Sequence, residues 1–441
     1  MLTGLIPATL QGRVVNVAGL SVDVAGLAQA SIGDRLSLTA RDGRSVLGEV
    51  VGFRGALARI MAFDSLDGVG PGGSAIMPLT PNLPRGARLA PCDRWLGRVI
   101  DPIGQPLDRR GVLPQGTRAR LVRASPPEAT QRARLGPRLD LGVRVLNTFT
   151  TCREGQRLGL FAGSGIGKST LLAMLARHTA YDVAVLALVG ERGREVREFL
   201  EDDLGAAGLA RSVVITATSD ATPLMRREAA YAAMTVAEHF RDEGRSVLLL
   251  MDSVTRFCFA LREIGLSAGE PPATRGYPPS VFAELPRLLE RAGPGLEVHG
   301  KAGQITALFT VLVEGDDHNE PVADAVRGIL DGHVILDRRI GEAGRYPAVD
   351  VLRSLSRTVP GCLIGDEAAL ASRARAILGL HADMADLIRL GAYRPGADPA
   401  VDEAVALTPR IEAVLRQARD ERTDIADSFA ALAAAMERPN A

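Results

Sequence analysis

The nine residues Ala162-Gly163-Ser164-Gly165-Ile166-Gly167-Lys168-Ser169-Thr170 constrain this chain more than any other stretch. They follow a short apolar run, Leu158 to Phe161, and lead into a helical pattern with Leu171, Leu172 and Leu175 on one side. Strand, glycine loop and helix in that order form the setting of a phosphate-binding loop. Its glycines let successive backbone N–H groups converge on an anion at the positive end of a helix. Gly163 through Thr170 would then cradle a nucleoside triphosphate, with Lys168 on the β- and γ-phosphates and the Ser169 hydroxyl on Mg²⁺. Ala162 stands where the strict pattern has Gly, so its backbone must be one that a Cβ tolerates.

The charge usage points the same way. Among 52 lysines and arginines only Lys168 and Lys301 are lysines. A guanidinium is planar and bulky, whereas an ammonium is a compact point charge that fits between phosphates. A chain that uses Arg almost everywhere keeps Lys inside the glycine loop, and a nucleoside triphosphate is the expected ligand.

At 441 residues the length suggests about three domains. Apolar content of 46% supports globular cores, and no unbroken apolar run approaches the ~18 residues of a membrane span. Met1 to Leu10 lacks the basic start and apolar stretch of a signal peptide. Cys92, Cys152, Cys258 and Cys362 are widely spaced, which reads as reduced structural thiols in a cytosolic protein. The six histidines are scattered, so a protein-built metal cage is not expected. A net charge of zero argues against nucleic acid as a partner. Residues 85 to 157 hold fifteen Arg against six Asp and Glu, readable as a basic contact surface or as a solvated face.

Along the chain, three domains are expected. Residues 1–84 carry short strands with glycine turns: Val14 to Val17, Val22 to Val24, Leu36 to Leu38, and Val46 to Phe53 continuing to Leu57, Ile60 and Met61. That rhythm predicts a small β-barrel, and with only Phe53 and Phe63 as aromatics it reads as a structural collar rather than a base-stacking one. From Pro81 to Pro137 an ordered, turn-rich connection is expected, with Trp95 packed at the junction. Residues 85–360 form the nucleotide-binding domain, where Leu158–Phe161, Val183–Val189, Val213–Thr216, Val247–Met251 and Ile305–Val313 alternate with helical stretches. This is an α/β pattern of crossovers and a largely parallel sheet, with ligands beyond the carboxyl ends of the strands. Residues 361–441 read as a helical domain, helical from Glu367 to Leu390 and again from Ile411 to Met436, divided by Pro395 and Pro399.

Two strand ends complete a catalytic constellation. Val247 to Met251 runs into Asp252, the form of a Walker B strand whose carboxylate holds Mg²⁺, although strand-end Asp residues also cap helices. Val183 to Val189 runs into Gly190-Glu191-Arg192-Gly193-Arg194-Glu195. Hydrolysis needs a group that orients and polarises the attacking water, and Glu191 is the candidate. The alternative is that Glu191 and Glu195 pair with the neighbouring arginines as a surface network. From spacing alone, Tyr346 reads as core and Arg357 as a surface charge.

The loop AGSGIGKST, with GERGREVREFL, LLLMDSVTRF, GEPPATRGYPPSVFAELPRLLERAG, GQITALFTVLVEGDDHNEPVAD, YPAVD and SLSR, resembles the type III secretion ATPases. These are relatives of the catalytic beta subunits of rotary ATP synthases. GRVIDPIGQPLD and LNTFTTCREGQR make the sequence most similar to the flagellar protein-export branch. The resemblance covers nearly the whole chain and is most specific from about 140 to 360.

It implies a RecA-like core and a cytoplasmic Mg²⁺-dependent ATPase that assembles as a homohexamer, peripherally associated with the inner membrane at an export apparatus. Lys168 and Ser169 match the P-loop lysine and Mg²⁺ ligand, Glu191 the catalytic carboxylate, Arg192 its phosphate-facing neighbour and Asp252 the Walker B aspartate. Tyr346 matches the aromatic that stacks on adenine. Arg357 matches the arginine supplied across a subunit boundary, worth ~10³–10⁵ in turnover. Implied partners are regulatory and stalk proteins, export chaperones with flagellar substrates, and a membrane export gate. An injectisome ATPase would share this chemistry, and a rotary beta subunit would need a noncatalytic partner chain. Many relatives carry a longer amphipathic start that docks a regulator. Only about ten residues, with little charge, precede the first strand here, which gives such docking little to work with.

Overall fold

A computed structural model of the chain describes residues 9–78, 86–297, 302–313, 320–359 and 361–437. The chain start discussed above, the 84/85 boundary, Lys301 and Pro360 lie outside the described residues.

The barrel is closed by six strands: β1 (Thr9–Ala18), β2 (Ser21–Ala25), β3 (Arg35–Thr39), β4 (Ser45–Arg54), β5 (Leu57–Ala62) and β6 (Ser74–Pro78), in the order β1-β2-β5-β4-β3-β6. Period-2 alternation puts Val22, Val24, Leu36, Leu38, Val50 and Ile60 inside. A Cβ on Gly12 would lie 2.7 Å from Val24 Cγ1, so the backbone passes too close there for any side chain. β6 was not anticipated. Its Ser-Ala-Ile-Met-Pro carries no strong strand signal, and its place is set by pairing with both β1 and β3, which closes the barrel. Phe63 is buried under the Arg35 guanidinium, 4.6 Å from the ring centre, while Phe53 faces solvent.

The central domain is built on a nine-stranded sheet. Eight of its strands are β7 (Val99–Ile100), β8 (Arg157–Ala162), β9 (Val183–Val189), β10 (Ser212–Ala217), β11 (Ser246–Asp252), β12 (Gln304–Leu312), β13 (Gly332–Leu336) and β14 (Leu355–Ser356). They lie in the order β14-β13-β8-β12-β11-β9-β10-β7, with Gly293–Pro294 pairing onto β12 as the ninth. All pairings in the ordered path are parallel except β13 with β14. Every residue of Val183–Val189 is buried, as expected of a strand covered on both faces. The longest covering helix, Pro223–Asp242, starts with Pro at its first turn, and the Thr222 hydroxyl accepts from the Met225 N–H at 3.4 Å.

The connection after the barrel does more than connect. It supplies edge strand β7, and Trp95 is fully buried with Nε1 donating to the Pro114 carbonyl at 2.6 Å. The basic stretch is in part a solvated face, with Arg88, Arg94, Arg109, Arg118 and Arg134 exposed, and in part paired within the fold. Arg98 pairs with Asp108 at 2.6 Å, Arg120 with Asp242 at 2.6 Å, Arg138 with Glu367 at 2.5 Å and Arg157 with Asp331 at 3.0 Å. Three of these four acids lie outside the stretch, where a local charge count does not register them.

Three helices, Glu367–Arg389, Pro399–Leu415 and Ile425–Met436, form the C-terminal unit. The first matches the expected stretch. The single helix expected over Ile411–Met436 is two helices, separated where the polar run Arg416 to Asp424 leaves no apolar stripe to bury. Asp424 caps the second of these by accepting from the Asp427 N–H at 2.8 Å. Pro399 opens the preceding helix instead of merely dividing two, and Pro409 lies inside it.

Candidate active site

β8 delivers the glycine loop at its carboxyl end. Ala162 is its last residue, extended and fully buried against Leu312 and Leu336, so a Cβ is accommodated there. Gly165 and Gly167 take φ of 77° and 88°, a region open to glycine, and Gly167 leads straight into helix Lys168–His178. Gly163 and Ile166 are buried, and Ser164 is exposed with its carbonyl accepting from Arg338 Nη2 at 3.0 Å. Ser169 and Thr170 sit on the exposed side of the first turn.

β11 and β9 bring their terminal carboxylates to the same place. The Lys168 ammonium contacts Asp252 Oδ1 and lies 3.6 Å from Glu191 Oε1. Asp252 is not a helix cap. That role falls to Ser253, whose hydroxyl accepts from the Arg256 N–H at 3.2 Å. The Thr310 hydroxyl donates to Asp252 Oδ1 at 2.7 Å and so fixes the carboxylate. Glu191 turns inward, while the arginines after it pair with the glutamates that follow: Arg192 with Glu195 at 3.3 Å and Arg194 with Glu198 at 2.7 Å. Burial pushes the Glu191 carboxyl above its ordinary range. The Lys168 charge opposes that shift, and Asp252 and Glu195 add to it.

Ser169, Glu191, Glu195 and Asp252 line a recess of about 20 Å³, closed behind by Leu188, Val196 and Phe199. That is room for roughly one water. Among the described residues no three His, Cys, Asp or Glu gather as a metal cage. A hydroxyl and a carboxylate facing an open phosphate loop are what Mg²⁺ takes, since it prefers few protein oxygens plus phosphates and waters. The donor set fits the ion.

The remaining candidates lie around this centre. The Tyr346 ring stands half-exposed beside the loop, 3.5 Å from where a Cβ on Gly167 would be. Arg192 is on the rim, with its side chain 82% exposed. Arg357 is not near its own loop. Its N–H donates to the Asp331 carbonyl at 2.9 Å, and Asp331 lies five residues before Leu336, which pairs with Ala162. About 16 Å of strand therefore separates Arg357 from the glycine loop of its own chain, more than an arginine spans. Thr310 was missed in the sequence, where it announces itself only as a hydroxyl inside the apolar run Ile305–Val313.

A glycine loop at the carboxyl end of a parallel strand, with a lysine held between two strand-end carboxylates, defines a P-loop nucleoside triphosphatase. Residues 142–356 match the ATP synthase alpha/beta family, nucleotide-binding domain, residues 14–79 that family's beta-barrel domain, and residues 365–434 the T3SS EscN ATPase C-terminal domain. The chain belongs to the family of flagellum-specific ATP synthases and type III secretion ATPases, which hydrolyse ATP. It is 53% identical over 429 residues to the flagellum-specific ATP synthase of Caulobacter vibrioides, covering 97% of this chain and 96% of that one. The Bacillus subtilis protein of the same name is 46% identical, covering 96% and 94%. Assembled EscN from the type III secretion system of enteropathogenic E. coli superposes with a TM-score of 0.89 at 37% identity, covering 97% of this chain and all of that one. The structure of EscN with its central stalk EscO superposes at 0.85 and 36% identity. Among the described residues no helix is long and apolar enough to cross a membrane.

Proposed function

We propose that this chain is the Mg²⁺-dependent ATPase of a flagellar protein-export apparatus, working as a cytoplasmic homohexamer at the inner membrane. The observation that carries the chemistry is the ammonium of Lys168 placed between Glu191 and Asp252 at the mouth of the glycine loop. Loop N–H groups and Lys168 bind the β- and γ-phosphates. Ser169 and Asp252 would hold Mg²⁺, which when bound neutralises phosphate charge. Glu191, buried enough to raise its proton affinity, orients the attacking water and takes up its proton. Tyr346 offers its exposed face to the base. Arg192 on the rim and Arg357 from a neighbouring chain supply further cations. An arginine finger of this kind contributes roughly 4 to 7 kcal/mol of transition-state stabilisation.

The flagellar assignment is supported by full-length identity to the flagellum-specific relatives. Injectisome relatives share the fold and the chemistry, including a type 3 secretion system ATPase of Xanthomonas euvesicatoria at 46% identity. In the export role, hydrolysis drives ring movements that free substrates from chaperones and pass them to a membrane gate. Stalk and regulatory proteins engage the ring. The test is a cell whose only copy is Glu191→Gln: ATP binding persists, turnover is lost, and external flagella and exported flagellar proteins fall sharply. Normal flagella would move the assignment to virulence secretion, and rapid hydrolysis by the purified variant would remove Glu191 from its role.

A further inference from the structure

Tyr346 does not stand on the nucleotide-binding domain alone. Its carbonyl accepts from the Gln417 N–H at 2.9 Å, and Gln417 belongs to the C-terminal unit. Gln417 is almost fully buried and tied on three sides. Its Oε1 accepts from the Arg144 N–H at 2.8 Å, and its Nε2 donates to the carbonyls of Gly142 at 2.9 Å and Glu421 at 2.8 Å. On the other flank Arg345 is buried, with Nη1 and Nη2 donating to the carbonyls of Pro347 and Val349 at 3.1 and 2.8 Å. Its Nε meets Glu412 Oε2 at 2.6 Å, and Glu412 lies on helix Pro399–Leu415.

A buried guanidinium is costly unless its charge is matched. Burial indeed pulls the Arg345 pKa down, and Glu412 works against that. The loop that carries Tyr346 is thus gripped on both flanks by one unit, while the ring itself is half-exposed beside the phosphate loop. Stacking on a base needs the ring plane held at a set distance from the phosphates, and nothing on the exposed ring face can do this.

We propose that the C-terminal helical unit positions the base platform. Glu412 and Gln417 act as positioning residues for Tyr346 and thereby set how well the site distinguishes purine from pyrimidine triphosphates. This rests on the reading of Tyr346 as the base-stacking residue. Movement of the C-terminal helices against the sheet therefore changes base affinity without touching Lys168, Glu191 or Asp252.

The experiment is steady-state hydrolysis of ATP and CTP by the full chain and four variants: Glu412→Gln, Glu412→Asp, Tyr346→Ala and the Tyr346→Ala/Glu412→Gln double. The expected result is that Glu412→Gln raises KM for ATP roughly three- to tenfold, with smaller changes in kcat and in KM for CTP. Glu412→Asp restores most of the loss, and the double variant matches Tyr346→Ala alone. The inference is overturned if Glu412→Gln shifts KM equally for both nucleotides, or if the double variant is additive. If Tyr346→Ala itself leaves KM for ATP unchanged, the base-platform reading fails and takes the inference with it. Should Glu412→Gln not melt cooperatively, Gln417→Asn, which shortens the side chain anchoring the Tyr346 contact, replaces it in the same cycle.

Discussion

As the proposed water-orienting carboxylate, Glu191 meets two opposed demands. It must sit deep enough in the recess to hold one water, yet remain ionised to accept that water's proton. Burial raises its pKa above the ordinary 4.5, and Lys168 limits the rise. The sign follows for activity. A carboxylate with a raised pKa stays protonated to higher pH, so turnover that needs its anion falls as pH decreases through a value above 4.5. The acid limb of the kcat profile measures this, and an inflection at or below the ordinary value would contradict it. For stability the sign is opposite to that of a salt-bridged acid. The folded chain holds this proton more tightly than the unfolded one, so the ionised form costs stability as pH rises through the folded pKa. Glu191→Gln is accordingly expected to raise Tm at neutral pH while abolishing turnover, a trade common at active sites. A Tm lowered by that substitution would show that its pairing with Lys168 outweighs its burial.

At the scale of elements, the edge of the sheet depends on a bracket the catalytic motifs do not announce. β7 is only two residues long and is held by the Asp108 carboxylate, which accepts from Arg98 Nε at 2.6 Å and from the Val99 N–H at 3.1 Å. Burial pushes the Asp108 carboxyl up, but the Arg98 hydrogen bond, the Arg110 and Val99 N–H groups and the Arg98 charge outweigh it, bringing the pKa down to about 2. A depressed acid contributes stability that is present above its unfolded pKa and lost as pH falls through its folded one. Asp108→Asn should therefore cost roughly 2 kcal/mol at pH 7, a difference that shrinks as pH drops from about 4 toward 2. Denaturant melts of both proteins across that range check it, and a pH-independent difference would count against it. The expected single helix over Ile411–Met436 failed at this same scale. Periodicity joined two apolar stripes across a polar run whose buried Gln417 is engaged elsewhere in the fold.

At the scale of the molecule, Arg357 and Lys168 of one chain stand at opposite ends of neighbouring strands, so they cannot serve one nucleotide together. If assembly completes the site, Arg357→Ala folds normally but loses most turnover. Mixing it with an equally inactive Lys168→Ala chain should then recover activity at boundaries that join an intact loop to an intact arginine. The assay is ATP hydrolysis against mixing ratio after disassembly and reassembly. No recovery at any ratio, with mixed assemblies verified, would remove the shared-site reading.

The residues of the phosphate loop, the carboxylates at the ends of two strands, the five central strands and all but one strand of the barrel were legible in the sequence by itself. Each is encoded locally, by glycine positions, by apolar runs covered on both faces, or by period-2 alternation. The tertiary structure alone decided what depends on groups far apart in the chain. β6 closes the barrel by pairing with β1 and β3. Arg120, Arg157 and Arg138 are stitched to Asp242, Asp331 and Glu367. Thr310 meets Asp252 because β12 lies beside β11. Tyr346 rests on Gln417 because the C-terminal helices pack back onto the loop. Such contacts are fixed by which surfaces must be buried together, and no window of sequence carries both partners.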